Sequence, residues 1–177
     1  MNEDLVILVD KNDVQQGTMP KLEAHQKGAL HRAFSILVFN HKNEFLLQQR
    51  AIGKYHSEGL WTNTCCSHPK PGEDTIDAAH RRLREEMGFN CDLSHGFSFL
   101  YNSPLDNHLV EHEFDHVYFG KYDGSLAPDP KEVMNTRWIS FGSLQDQLAV
   151  TPHHFTYWFR KIMADHTPSI ENYLLNS

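Results

Sequence analysis

Apolar positions fall into short runs separated by polar turns, the rhythm of strands linked by tight connections. Leu5–Val9 is the first such run and ends at the polar turn Asp10–Asp13. Phe34–Phe39 and Glu44–Gln49 follow, and Asn40-His41-Lys42-Asn43 between them suits a hairpin. Trp61–Cys65, Phe97–Tyr101 and Asn135–Ile139 predict further strands, as does Glu111–Phe119 with its alternating character. The period changes after Pro71-Gly72. Ile76, Ala79, Leu83 and Met87 recur at helical spacing, with Asp74 or Thr75 as N-terminal cap and Gly88 as the stop. Thr151–Ala164 predicts a second, aromatic-rich helix. Strands, a helix, more strands and a helix make an α/β sandwich on a mixed sheet. With no repeat or linker-like stretch, residues 1–177 read as one domain.

Composition narrows the function classes. The chain has 177 residues and a net charge of −7, so no basic surplus exists for broad nucleic-acid binding. A small anion needs only a few well-placed cations. No apolar run approaches a membrane span, and the early acids of MNEDLVILVDKND do not suit a signal peptide, so a cytosolic protein is expected. Cys65, Cys66 and Cys91 are an odd set with a neighbouring pair, which reads as free thiols. The 13 histidines invite a search for metal ligands.

The predicted helix at 74–88 resembles the Nudix helix, whose signature spaces a Gly, a Glu and R-E-x-x-E-E-x-G. Aligned through Gly88, the chain supplies Glu73, Arg81, Leu83, Glu85 and Glu86, followed by Phe89. Ser67 replaces the first Gly, and Arg82 replaces the first Glu of the R-E pair. In Nudix hydrolases the glutamates hold the Mg²⁺ ions that polarise a diphosphate. An arginine among them weakens multi-metal hydrolysis but grips phosphate oxygens well. Taken alone, the same residues also suit a surface helix with Arg81–Glu85 and Arg82–Glu86 pairs.

The segment Trp61-Thr62-Asn63-Thr64-Cys65-Cys66-Ser67-His68-Pro69 resembles the active-site segment of type 1 isopentenyl-diphosphate Δ-isomerases. Lys21-x3-His25-x5-His31 upstream, Arg50-x3-Lys54, Glu111-His112-Glu113 and Thr151-Pro152…Trp158 extend the resemblance from about residue 5 to residue 165. It implies a Nudix-like α/β/α sandwich and one divalent ion (Mn²⁺, Zn²⁺ or Mg²⁺) on His25, His31, His68, Glu111 and Glu113. It also implies a small-molecule diphosphate held by Lys21, Arg50, Lys54 and Arg82, with Mg²⁺ bridged by Glu86, and a role in isoprenoid biosynthesis. Glu111 and Glu113 share one strand face, as does Asp115, to which the family pattern gives no role. His25 and His31 are six apart, off-register for one helix face, which sets them on either side of a turn or strand start. A monomer is the simplest assembly.

By the same resemblance, Cys66 and not Cys65 is one proton-transfer group, and nearby cations favour its thiolate. Glu113 is its counterpart, with Tyr101 either a hydrogen-bond partner or a core residue. The alkene has no activating carbonyl, so a proton must add to it directly and another must leave from the neighbouring carbon. Glu113 with Tyr101 is the preferred donor and Cys66 the acceptor. Trp158 either faces the cation, worth about 2 kcal/mol, or belongs to a core stripe with Phe155 and Phe159. A nucleotide pyrophosphohydrolase and a non-catalytic metal-binding module are the rivals. The first leaves Cys66 and His68 idle, and the second leaves the diphosphate cations idle.

Overall fold

The computed structural model describes residues 4–177, so Met1–Glu3 at the start of the N-terminal stretch lie outside the described residues. Nine strands and five helices succeed one another: β1 (Leu5–Val9), β2 (Gln15–Pro20), α1 (Lys21–Lys27), β3 (His31–Phe39), β4 (Phe45–Arg50), β5 (Trp61–Thr62), β6 (Cys65–Ser67), α2 (Thr75–Met87), β7 (Leu93–Pro104), β8 (Val110–Lys121), β9 (Val133–Ile139), α3 (Phe141–Val150), α4 (Tyr157–Asp165) and α5 (Thr167–Asn176). The sheet is mixed. β3 runs parallel to β8 and antiparallel to β1, β4 and β6, while β7 extends it beyond β8 and β9 pairs with β4.

β3 organises both cores because it is buried on both faces. Phe34, Ile36 and Val38 pack with Ala78, Ala79, Leu83 and Met87 of α2. Leu37 and Phe39 point the other way, onto Phe155 and onto Leu144, Phe159, Ile162 and Ile170 from the C-terminal helices. This is the expected α/β/α sandwich. The core on the Leu37 and Phe39 face thins out toward the start of β3, where His31 and Ser35 replace large apolar side chains.

Several boundaries differ from the sequence expectation. Trp61–Cys65 is not one strand: it divides into β5 and β6 around Asn63-Thr64, whose side chains bond to backbone groups of β3, β4 and β6. Thr151–Ala164 divides too, into a single 3₁₀ turn at Pro152–His154 and α4, because Phe155 is extended and Thr156 bonds to the Trp61 carbonyl. Asp74 occupies the cap position of α2, but its side chain makes no capping bond. Gly88 ends α2 as expected, at φ 72°, and a Cβ there would lie 2.2 Å from the Ala127 carbonyl oxygen.

Candidate active site and metal centre

β8 supplies the acids. Its alternation buries Glu111, Glu113 and Asp115 on one face, and the register sets Glu113 beside His31 on β3 and Tyr101 on β7. His31 is the first residue of β3, and His25 lies one short turn earlier, in α1. Gly28 permits that turn by ending α1 at φ 62°. His68 follows β6, which pairs with β3. The two histidines six residues apart therefore meet across a turn, as the spacing implied. Ligating atoms of His25, His31, His68 and Glu113 all lie within 4.8 Å of one another, and so do those of His25, His56 and Glu111.

The hydrogen bonds orient these rings as ligands. His25 Nδ1 lies 2.7 Å from the Lys21 carbonyl, and His31 Nδ1 lies 2.8 Å from that of Ala29. A carbonyl only accepts, so each Nδ1 carries the proton and each Nε2 presents a lone pair. His25 Nε2 faces Glu111 Oε2 at 3.3 Å, and among the described residues neither atom has a hydrogen-bond partner. Two facing acceptors repel unless a cation joins them. His68 Nε2 lies 2.9 Å from Glu113 Oε1 and 3.2 Å from His31 Nε2.

Burial and the charge of Glu113 push the Glu111 and Asp115 carboxyls well above the usual range. Burial acts in the same sense on Glu113, but the His31 and His68 rings facing it outweigh it and hold that carboxyl well below. Burial also lowers His25, and takes His68 down to about 3. Neutral imidazoles and buried carboxylates are a donor set made for a divalent ion, and the residues present fit one.

The neighbouring cysteines separate by the pleat of β6. Cys65 pairs with Ile36 and is buried in the α2 core, while Cys66 pairs with Ser35 and lines the cavity on the other face. Only the second of the pair lines the cavity, while Cys65 lies against Glu86 of α2. Burial outweighs Arg50 and pushes the Cys66 thiol up to about 12, against the thiolate that nearby cations favour. Both readings of Tyr101 hold. Its ring stacks on Phe99, and its hydroxyl donates to Glu113 Oε2 at 2.6 Å. Trp158 is likewise both core and cavity wall, its indole N–H donating to Asn63 Oδ1 at 3.2 Å.

The cavity, of about 290 Å³, is also lined by Lys21, Arg50, Lys54, Arg82 and Glu86. All the cations singled out in the sequence thus meet in one place. Arg50 is partly committed: Nε and one terminal nitrogen donate to the Ser57 and His56 carbonyls, and its guanidinium lies 5.4 Å from the Trp158 ring. Arg82 donates to Glu85, to Glu86 at 2.6 Å and to Glu132 at 3.2 Å. Lys54 pairs with the other oxygen of Glu132, and burial lowers its pKa. Glu86 also accepts from Gln48 at 3.1 Å. Sequence reasoning missed Glu132, His56 and Asn63 as individual contributors. Asn63 was legible only as part of the nine-residue segment. His56 and Glu132 sit in irregular stretches with no periodic signal.

The class of protein is defined by this sandwich and the acid-bearing helix α2 against its sheet. Residues 29–160 match the NUDIX domain model. Solved structures agree at the level of fold: a Deinococcus radiodurans protein superposes with a TM-score of 0.67 at 18% identity over 83% of this chain and 90% of its own. The MutT protein from Methanosarcina mazei Go1 does so at 0.62 and 17% over 83% and 94%. Sequence comparison goes further. Isopentenyl-diphosphate Delta-isomerase 1 of Aromatoleum aromaticum is 51% identical over 88% of each chain. The isopentenyl-diphosphate Delta-isomerase of Pectobacterium atrosepticum is 52% identical over 90% of this chain and 89% of its own. The chain belongs to the isopentenyl-diphosphate Δ-isomerase family. No helix among the described residues is long and apolar enough to cross a membrane.

Proposed function

We propose that the protein converts isopentenyl diphosphate to dimethylallyl diphosphate by adding a proton at one end of the alkene and removing one from the adjacent carbon. The observation that carries this reading is the cavity wall itself. A thiol, Cys66, and a hydroxyl-bonded carboxylate, Tyr101–Glu113, line the same 290 Å³ space as Lys21, Arg50, Lys54 and Arg82. An allylic shift through a carbocation needs two acid–base groups and a grip on the diphosphate that leaves the reacting carbons dry.

Lys21, Arg50, Lys54 and Arg82 bind the diphosphate, with Mg²⁺ held by Glu86. Arg82 stands among Glu85, Glu86 and Glu132, so its charge reduces the net negative field of α2 there. That suits retention of the diphosphate better than attack on it by metal-bound water. Cys66 and Glu113 transfer the protons, and Tyr101 orients Glu113. One of the Cys66–Glu113 pair gives its proton to the alkene and the other takes one from the adjacent carbon. His25, His31, His68, Glu111 and Glu113 would hold a divalent ion, whose positive charge would let adjacent buried carboxylates stay ionised. Trp158 turns its ring to the developing cation, and Asn63 fixes that ring. The wall of Trp158 and Tyr101 keeps out water that would quench the cation.

The test is incubation of the metal-loaded protein with isopentenyl diphosphate in heavy water, followed by NMR. Dimethylallyl diphosphate carrying solvent deuterium, absent with a Cys66→Ala variant, is the expected result. Release of phosphate or of the monophosphate would make the protein a hydrolase instead. Unchanged substrate would leave only a metal-binding module.

A further inference from the structure

His56 has no part in the roles assigned above, yet it lies at the metal end of the cavity. Its side chain is only 5% exposed, and its Nε2 is 3.2 Å from Glu111 Oε1. The two oxygens of Glu111 are thus divided: Oε1 faces His56, while Oε2 faces the lone pair of His25 at 3.3 Å and has no hydrogen bond among the described residues. On its other side, His56 Nδ1 meets the Ser57 hydroxyl at 3.2 Å. A hydroxyl donates as well as accepts, so Ser57 can satisfy Nδ1 and leave the ring proton on Nε2, toward Glu111.

The loop is built to hold the ring there. Arg50 binds the carbonyls of His56 and Ser57, both at 3.2 Å. Ser57 sits at φ 52°, a left-handed conformation that a serine adopts only at a cost and that a tight structural demand must sustain. The His56 ring then meets Tyr55 and Trp158 edge-on, with centroids 4.5 and 6.0 Å away. It therefore wedges between the metal end and the indole wall.

Resting on the metal-centre reading above, we propose that His56 is a positioning residue of that centre, donating from Nε2 to Glu111 Oε1 so that Oε2 is presented to the ion beside His25. Outer partners of this kind tune metal affinity by about 10- to 100-fold. His56 is placed outside the ligand set because its Nε2 meets Oε1, whereas Oε2 is the oxygen that faces His25.

The experiment titrates wild type, His56→Ala, His56→Gln and His56→Asn with Zn²⁺ against a competing chelator, and counts bound imidazoles by X-ray absorption. A glutamine amide nitrogen reaches the Nε2 position, whereas that of asparagine reaches only the Nδ1 position. Expected are a loss of about 10- to 100-fold in affinity for Ala and Asn, near-complete recovery for Gln, and the same imidazole count in every variant that binds. Equal affinities for Gln and Asn, or no loss in Ala, would overturn the proposal. A missing imidazole in Ala would also overturn it, by making His56 a ligand. Wild type that binds no Zn²⁺ would instead refute the metal-centre reading, independently of the variants.

Discussion

Replacing Tyr101 with phenylalanine isolates one bond of the proposed proton-transfer pair. The ring remains, stacked on Phe99 at 5.4 Å and near Tyr157 at 6.1 Å, so packing is preserved. What disappears is a 2.6 Å hydrogen bond to Glu113 Oε2, between residues 4% and 6% exposed. A hydrogen bond to a charged group contributes about 1.5–3 kcal/mol. If that bond changes strength as Glu113 gains or loses its proton, kcat falls by about 10- to 150-fold. The same deletion leaves a buried carboxylate oxygen short of a donor, a cost of about 1–3 kcal/mol, or about 2–4 °C in Tm for each kcal/mol at this chain length. The assay is steady-state turnover of isopentenyl diphosphate beside calorimetric melting of the same samples. A fall in kcat with KM within a factor of two is expected. A lower Tm with unchanged kcat would show that Tyr101 only braces the core, and would refute its part in catalysis.

Three further perturbations follow. Gly88→Ala places a Cβ 2.2 Å from the Ala127 carbonyl at a residue with φ 72°, so urea unfolding should show a loss of at least about 2 kcal/mol; an unchanged midpoint would contradict the tight approach of α2 to that segment. Arg82→Glu removes the guanidinium that bridges Glu86 and Glu132 and gathers acids at the proposed diphosphate subsite. KM for isopentenyl diphosphate should rise more than tenfold while the Zn²⁺ affinity of the histidine site is retained, and an unchanged KM would remove Arg82 from the substrate grip. Stripping metal with a chelator should lower Tm, because an ion present at about 100 times its Kd adds about 2.7 kcal/mol. Equal Tm with and without Zn²⁺ would argue that the His/Glu cluster holds no ion.

Periodicity reached the elements whose burial is one-sided or complete. α2 was legible because Ala79, Leu83 and Met87 are fully buried, and β3 because its apolar residues are buried on both faces. β2 escaped notice because its strand character comes from backbone pairing with β1, while its side chains QQGTMP stay half or fully exposed. α3 and α5 each bury a single residue completely, Leu144 and Ile170, too little to print a helical stripe. α1 spans 7 residues between Pro20 and Gly28, below the length at which a period can be counted. In the site, the residues on regular strands were legible by face and spacing. His56 was not, because an irregular loop fixes it by backbone bonds from Arg50, which leave no period in the sequence.

The structure also explains how one pleated surface serves two kinds of chemistry. His31, Ser35, Leu37 and Phe39 share a face of β3, as Glu113, Asp115, Val117 and Phe119 share one of β8. Toward the C-terminal ends of these parallel strands the face is a dry aromatic core. Toward their N-terminal ends it becomes imidazole and carboxylate. The boundary falls where Ser35 donates to Asp115 at 2.8 Å, in register with Cys66. Cys66 therefore has an apolar wall on one side and acids on the other, and its burial there pushes the thiol pKa up. Had the strands slipped by one residue, Cys65 would face the acids and Cys66 the α2 core. The antiparallel β3–β6 register is thus what selects the second cysteine. A sequence motif can mark that choice, but the pleat makes it.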